Sequence, residues 1–412
     1  GYQNNVGSSV YVGRYAGYSG TGHIGSGNIG IGYHALFTNS STDQTGMKWN
    51  IAIGRAAMGA AGSSHGSAHS NVAIGYYALH KVESGSRNIA IGGQQGGGDG
   101  GTGEYLKNGD DNTFVGSKAG QGIDSGNIHS SDNVFIGAIA GGNQNGVDGN
   151  VGVGYKALVY ARGDYSVAVG YEAGDHATGS YNTFVGGYAG KGGTTSAPYS
   201  SAQYNTAIGY QALTGFTSGT GRNVAIGYQA AVASTTGRDN VIIGYEAGHD
   251  ITSTVEAVLI GAYAGTKLNS TDADGTIAIG MNALSTATDA QRNVMIGYEA
   301  GVKIKTDDNV AIGFRSMRYI GDTAGSSHGE NNIAIGTFSL GGGDSSTVAN
   351  NTGYKNIAIG YQALGNGHST AFTAYENVAI GHNVMNYGGN MVSSVAIGST
   401  AGLYATGSYN TF

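Results

Sequence analysis

The stretch Asn71-Val72-Ala73-Ile74-Gly75-Tyr76-Tyr77-Ala78-Leu79 decides the fold, because it recurs from one end of the chain to the other. In general form it reads Asn, β-branched, small, Ile or Val, Gly, often Tyr, any residue, Ala, then Gly or Leu. Its glycine falls at 13, 32, 54, 75, 92, 116, 137, 154, 170, 186, 209, 227, 244, 261, 280, 297, 313, 336, 360, 381 and 398, which makes 21 copies in 412 residues, 16 to 24 residues apart. Such a period marks a repeat architecture, in which one unit cannot bury its own apolar face and its neighbours supply the core.

The residue before the glycine is Ile or Val in all 21 copies. Two residues earlier stands Val or Ile in 18, with Thr113, Thr183 and Thr206 departing. A period of two places both side chains on one face of a short strand. That face is assigned to the interior, which makes Ile53, Ile74, Ile91, Ile208, Ile226, Ile243, Ile279, Ile312 and Ile359 the expected inward residues. On this assignment Ile226→Asp breaks the stack. Ala stands three residues after the glycine in 17 copies, so a small residue is required where the chain turns back. Glycine supplies a positive φ there or admits a neighbouring backbone. Asn opens 16 copies, and identical Asn residues on successive coils can bond into amide ladders.

One strand per copy, joined by connectors too short for a helix and its turns, predicts an all-β fold: a parallel β-solenoid (β-roll or β-helix) of about 21 stacked coils. Residues 1–412 then form a single repeat array. At about 4.8 Å per coil it is a rod roughly 100 Å long. The chain starts and stops inside motif copies, at Gly1-Tyr2-Gln3 and Asn410-Thr411-Phe412. Both ends are expected to be uncapped, the array being a segment of a longer fibre protein. The longest connectors carry Gly96-Gly97-Gly98-Asp99 and Gly341-Gly342-Gly343-Asp344 and read as lateral loops.

Composition excludes several function classes. The chain has 78 glycines, nearly three times the usual share of about 7 %, but one proline, which excludes collagen. Its abundant Val and Ile exclude a disordered linker. Lys and Arg number 19 against 26 Asp and Glu, a net charge of −7 with no basic run, so nucleic acid is not an expected partner. With no cysteine, disulfides, thiolate metal sites and thiol catalysis are excluded. No apolar run reaches about 18 residues, so membrane insertion is not expected.

The Asn-Val-Ala-Ile-Gly of residues 71–75, 223–227 and 377–381 resembles the head repeats of trimeric autotransporter adhesins. The longer unit Asn205-Thr206-Ala207-Ile208-Gly209-Tyr210-Gln211-Ala212-Leu213 is similar to repeats of bacteriophage tail fibres. The first resemblance implies a left-handed parallel β-roll in a homotrimer; the second implies a trimeric virion appendage.

Short motifs are weighed against this repeat. Gly25-Ser26-Gly27-Asn28-Ile29-Gly30 spells a dinucleotide fingerprint, but no helix follows to present amides to a pyrophosphate. Gly62-Ser63-Ser64-His65-Gly66 and Gly325-Ser326-Ser327-His328-Gly329 match a hydrolase elbow, which works only on a strand-to-helix turn. His65 and His69 have ligand spacing only on a helix, and Asp272-Ala273-Asp274-Gly275 lacks the glutamate that completes a calcium loop. Arg162-Gly163-Asp164 spells a cell-attachment tripeptide in a connector, a pattern with a high false-positive rate. Asn39, Asn269 and Asn350 head glycosylation sequons that matter only in a eukaryotic secretory context. No catalytic, cofactor or metal residue is assigned, and an enzyme is not expected.

Tyrosine follows the glycine in nine copies: Tyr33, Tyr76, Tyr155, Tyr171, Tyr210, Tyr228, Tyr245, Tyr298 and Tyr361. They are expected to line up as a stripe, serving as a packing ladder or subunit interface, or as a glycan-facing surface. The expected function is the structural shaft of a virion or surface fibre that positions a receptor-binding tip. The alternatives are a self-assembling extracellular filament, a trimeric adhesin head, and a β-helical carbohydrate enzyme. The expected partners are further copies of the chain and a cell-surface glycan or protein receptor.

Overall fold

In the computed structural model of the chain, the described residues are 7–20, 23–38, 46–59, 67–93, 100–122, 129–143, 146–160, 162–193, 200–217, 221–268, 274–288, 290–320, 329–341, 353–365, 373–386 and 391–412. They fall into two compact units, Gly1–Asn205 and Thr206–Phe412. Every motif copy forms one three-residue strand that ends immediately before its glycine. The first unit holds ten such strands, from β1 (Val10–Val12) to β10 (Thr183–Val185). Each pairs in parallel with the next; Val72 faces Ile89, Ala73 faces Ala90 and Ile74 faces Ile91. The second unit runs from β11 (Thr206–Ile208) to β20 (Val378–Ile380), followed by β21 (Met391–Val392), β22 (Val395–Ile397) and β23 (Gly407–Ser408). There too each motif strand pairs in parallel with the next, β20 with β22, while β21 pairs with β23. No helix occurs among the described residues, and each unit is a parallel β-solenoid, as the repeat predicts.

The turn after each strand explains the motif. Gly54 has φ +132°, and a Cβ built on it would lie 2.6 Å from the carbonyl oxygen of Gly75 in the next coil. Both the conformation and the close approach therefore demand glycine. The chain then alternates: Tyr77 and Leu79 have φ of 56° and 49° on either side of the fully buried Ala78. Left-handed residues at alternate positions fold the backbone over the strand, and the Ala between them lies against the core.

The interior corrects the assignment of faces. The middle residue of the strand points inward: Ala52, Ala73, Phe114, Phe135, Phe184, Ala225 and Ala358 are all fully buried. Ile53, Ile74, Ile91, Ile208, Ile226, Ile243, Ile279, Ile312 and Ile359 point outward and are half-buried or exposed, Ile91 and Ile208 reaching 39 %. The period of two is right, but the face is inverted. The turn brings Ala and a further residue directly over the strand, leaving room for one strand side chain per coil.

A volume exchange inside the coil shows how narrow that room is. Where the middle residue is large, as in Tyr11, Phe114, Phe135, Phe184, Ile242, Leu259 and Met295, the fourth residue after the motif glycine is Gly: Gly17, Gly120, Gly141, Gly190, Gly248, Gly265 and Gly301. Where it is Ala or Gly, that residue is usually Leu or Met, as in the pairs Ala73 with Leu79, Gly152 with Leu158 and Ala52 with Met58. A Cβ on Gly120 would stand 2.6 Å from the Phe114 ring. The two positions share one cavity at the density of a protein interior.

The opening asparagines form the expected ladder. Asn50 donates from its backbone N to Asn28 Oδ1 at 2.9 Å and from Nδ2 to the same atom at 3.2 Å. Its Oδ1 accepts the same pair from Asn71 at 3.0 and 3.1 Å. The second Nδ2 proton reaches a connector carbonyl, that of Ala68 at 3.0 Å. The pattern continues through Asn88, Asn112 and Asn133, and in the second unit through Asn309, Asn332, Asn356 and Asn377. Each buried amide is thereby satisfied, which fits the burial of these residues at or near zero exposure.

Candidate functional site

Because the middle residue faces in, the flanking Val and Ile of every strand face out. In the first unit Val10, Val12, Ile31, Ile89, Ile91, Ile136, Val169 and Val185 are 36–56 % exposed. In the second, Ile208, Ile312, Ile333, Ile335, Val395 and Ile397 are 36–61 % exposed. Parallel in-register pairing stacks these side chains in two adjacent columns, so each unit presents an apolar sheet face of β-branched residues. Scattered exposed apolar residues are ordinary; a contiguous apolar face marks an interaction surface.

The tyrosines that follow the glycines border this face. Tyr33, Tyr155, Tyr171, Tyr210, Tyr228, Tyr245, Tyr298 and Tyr361 are 38–48 % exposed, and Tyr76 is half-buried. Many stack on their neighbours: Tyr155 on Tyr171 at 5.2 Å, Tyr210 on Tyr228 at 5.7 Å, Tyr228 on Tyr245 at 5.1 Å. Tyr298 stacks on Phe314 and Tyr361 on His382. Between Tyr33 and Tyr76, Arg55 places its guanidinium 5.8 and 5.5 Å from the two ring centres. The stripe is thus a set of short ring stacks, interrupted where Gly93, Ser117, Ala138, Gly187, Ala262, Met281 and Thr337 take the position after the glycine. A hydrogen bond with Glu246 helps push the Tyr245 phenol up to about 12.

In each unit a second exposed column stands one residue before the ladder asparagines. Here Arg87 bonds Asp111 through Nε and Nη2, both at 2.7 Å, and Arg292 bonds Asp308 at 2.7 and 2.9 Å. The bidentate guanidinium holds the carboxyls of Asp111 and Asp308 below their ordinary range. In the column of the first unit Tyr165, Tyr181 and Tyr204 stack at 5.6 and 5.1 Å. Opposite charges or rings on successive coils therefore match the coil spacing.

Two of the short motifs resolve into repeat chemistry. In Arg162-Gly163-Asp164, Asp164 Oδ1 accepts from the Asp148 backbone N and the Asp164 backbone N donates to Ser180 Oγ, both at 3.0 Å. Gly163 is buried, its carbonyl accepting from Asn150 Nδ2. The tripeptide is a rung of the stack. In Gly25–Gly30, Asn28 is a buried ladder residue and Gly30 lies inside a strand, so no amide cradle forms. His69 is 3.4 Å from Ser70 Oγ, while His65 lies outside the described residues. Gly62–Gly66, Gly96–Asp99, Gly342–Asp344, Gly325–His328, Asp272, Ala273 and the sequons at Asn39, Asn269 and Asn350 also lie outside them. Among the described residues no group of three or more His, Cys, Asp or Glu side chains can hold a metal ion, and no helix is long and apolar enough to cross a membrane.

No protein-family model matches the chain, and a comparison with curated proteins finds no match. The outward apolar face escapes a reading of the β-branched period alone. The signal that reveals it is the exchange of large and small residues between the strand centre and the fourth residue after the glycine.

Proposed function

We propose that the chain is a structural fibre protein: a β-solenoid shaft that associates with identical copies along its outward Val/Ile face and holds an attachment module away from its base. The observation that carries this reading is the apolar sheet face itself. Two columns of β-branched side chains left in water are a large unfavourable exposed area at about 25 cal/mol per Å², and they invite association. Every copy carries the same face, so closed cyclic assembly of identical chains covers it without a second protein. The number three comes from the resemblance to trimeric adhesin heads and phage tail fibres, and so does the placement on a virion or cell surface.

The absence of cysteine makes the test clean. Ile226→Cys places one thiol on the outward face, and Thr286→Cys places one on an exposed turn. Under oxidation, Ile226→Cys is expected to give a covalently linked pair of chains at nanomolar protein and Thr286→Cys none. Equal cross-linking of the two variants, or none from Ile226→Cys, contradicts the assembly.

A further inference from the structure

In the first unit, four consecutive coils frame a cleft of about 450 Å³ whose lining departs from the Ser, Thr, Asn and Gly of the other connectors. Ile139 and Val159 supply apolar walls, and Lys156, Glu172, Asp175 and Lys191 supply charge. Asp175 is 4 % exposed, and its Oδ1 has no hydrogen-bond partner although it lines the cleft. A buried acceptor without a donor is costly and rare, and each one calls for an explanation. Lys191 Nζ bonds Glu172 Oε2 at 2.6 Å, whereas Lys156 Nζ lies 4.0 Å from Glu172 Oε1, beyond hydrogen-bond distance. Tyr160 stacks on His176 at 5.2 Å and remains part-exposed at the cleft.

Two ammonium groups face two carboxylates, so the cleft has no surplus charge with which to hold an ion. It offers an acceptor, a donor and an aromatic ring around an apolar wall, the combination that orients a polyhydroxylated ring. We propose that this cleft binds a neutral saccharide: Asp175 Oδ1 accepts from ring hydroxyls, the Lys156 ammonium donates to them, and Tyr160 packs against an apolar sugar face. The site belongs to one chain and stands independently of the fibre reading.

Saturation-transfer-difference NMR on the full chain tests this, with the methyl glycosides of glucose, galactose and mannose as probes and sodium glucuronate as the anionic comparison. At least one methyl glycoside is expected to receive saturation, more strongly than glucuronate. Asp175→Ala, which relieves a buried carboxylate and so preserves the fold, is expected to weaken binding roughly fivefold, and Tyr160→Ala to abolish it. Circular-dichroism melting checks that each variant is folded. The proposal is overturned if none of the three glycosides receives saturation, if folded Asp175→Ala binds as the parent does, or if glucuronate binds more tightly than the neutral sugars.

Discussion

The side-chain oxygen of Asn88 accepts two hydrogen bonds from Asn112, one from its backbone N at 3.0 Å and one from its Nδ2 at 2.8 Å. Asn112 in turn accepts the same pair from Asn133, both at 3.1 Å. Each ladder asparagine therefore serves the coil before it and the coil after it. Asn112→Ala leaves the Asn133 backbone N without its acceptor and the Ser130 carbonyl without its donor, while Asn133 Nδ2 keeps the Ser131 and Val147 carbonyls. At about 1–3 kcal/mol for each buried unsatisfied group, the expected loss is roughly 3 kcal/mol. Asn112→Ser is expected to cost about half as much, because Ser166 already continues the ladder by accepting from the Asn182 backbone N at 3.2 Å. Amide hydrogen exchange of the coils around 88–133 reads both.

The shared cavity of Phe135 and Gly141 predicts a compensating pair. Phe135→Ala alone is expected to cost about 3–5 kcal/mol. Gly141→Leu alone drives a side chain into the Phe135 ring, whose Cδ2 lies 2.5 Å from an added Cβ. Together they recreate the Ala73 and Leu79 arrangement, in which Leu79 already adopts φ 49°. The double variant is expected to recover most of the stability lost in either single one, as a double-mutant cycle by thermal melting will show.

That same pair shows what the amino-acid sequence reveals and where it misleads. The strand positions, the parallel stacking and the asparagine ladder follow from residues that recur in nearly every copy, because each is required by backbone geometry. The face of the sheet does not follow from Val and Ile in alternation, since two β-branched columns suit an interior and an interface equally well. Only the coupled change at Phe135 and Gly141, or Ala73 and Leu79, shows which side chain is inside. The cleft at Asp175 is harder still to read, because it lies in connector positions that vary from coil to coil and its parts come from separate coils.

Gly54 and Gly398 separate backbone strain from close approach. Their φ values are +132° and +129°, but an added Cβ meets the Gly75 carbonyl at 2.6 Å in the first case and nothing within 4 Å in the second. Gly398→Ala is expected to cost only the conformational strain, about 1–3 kcal/mol. Gly54→Ala adds displacement of the neighbouring coil and is expected to cost roughly 2 kcal/mol more, measured by denaturant or thermal unfolding.

Burial pushes the Asp175 carboxyl up to about 6 from an ordinary 3.8, with the Glu172 charge adding to the shift and Lys156 and Lys191 opposing it. Beside it, burial draws the His176 imidazole down. The fold thus favours the protonated carboxyl, so the group's contribution to stability is complete below about pH 4 and is lost as pH rises through 6. Asp175→Asn, which cannot ionise, is expected to melt above the parent chain at pH 7.5 and together with it near pH 3.5. A constant difference across that range contradicts the assignment.

Sedimentation equilibrium reads self-association along the outward Val/Ile face. The parent chain is expected to sediment at three times its chain mass. A variant carrying Ile208→Asp, Ile226→Asp and Ile312→Asp is expected to keep its β-sheet circular dichroism and sediment as a single chain. A parent chain that sediments as a monomer, or a variant that loses its fold rather than its partners, contradicts assembly through this face.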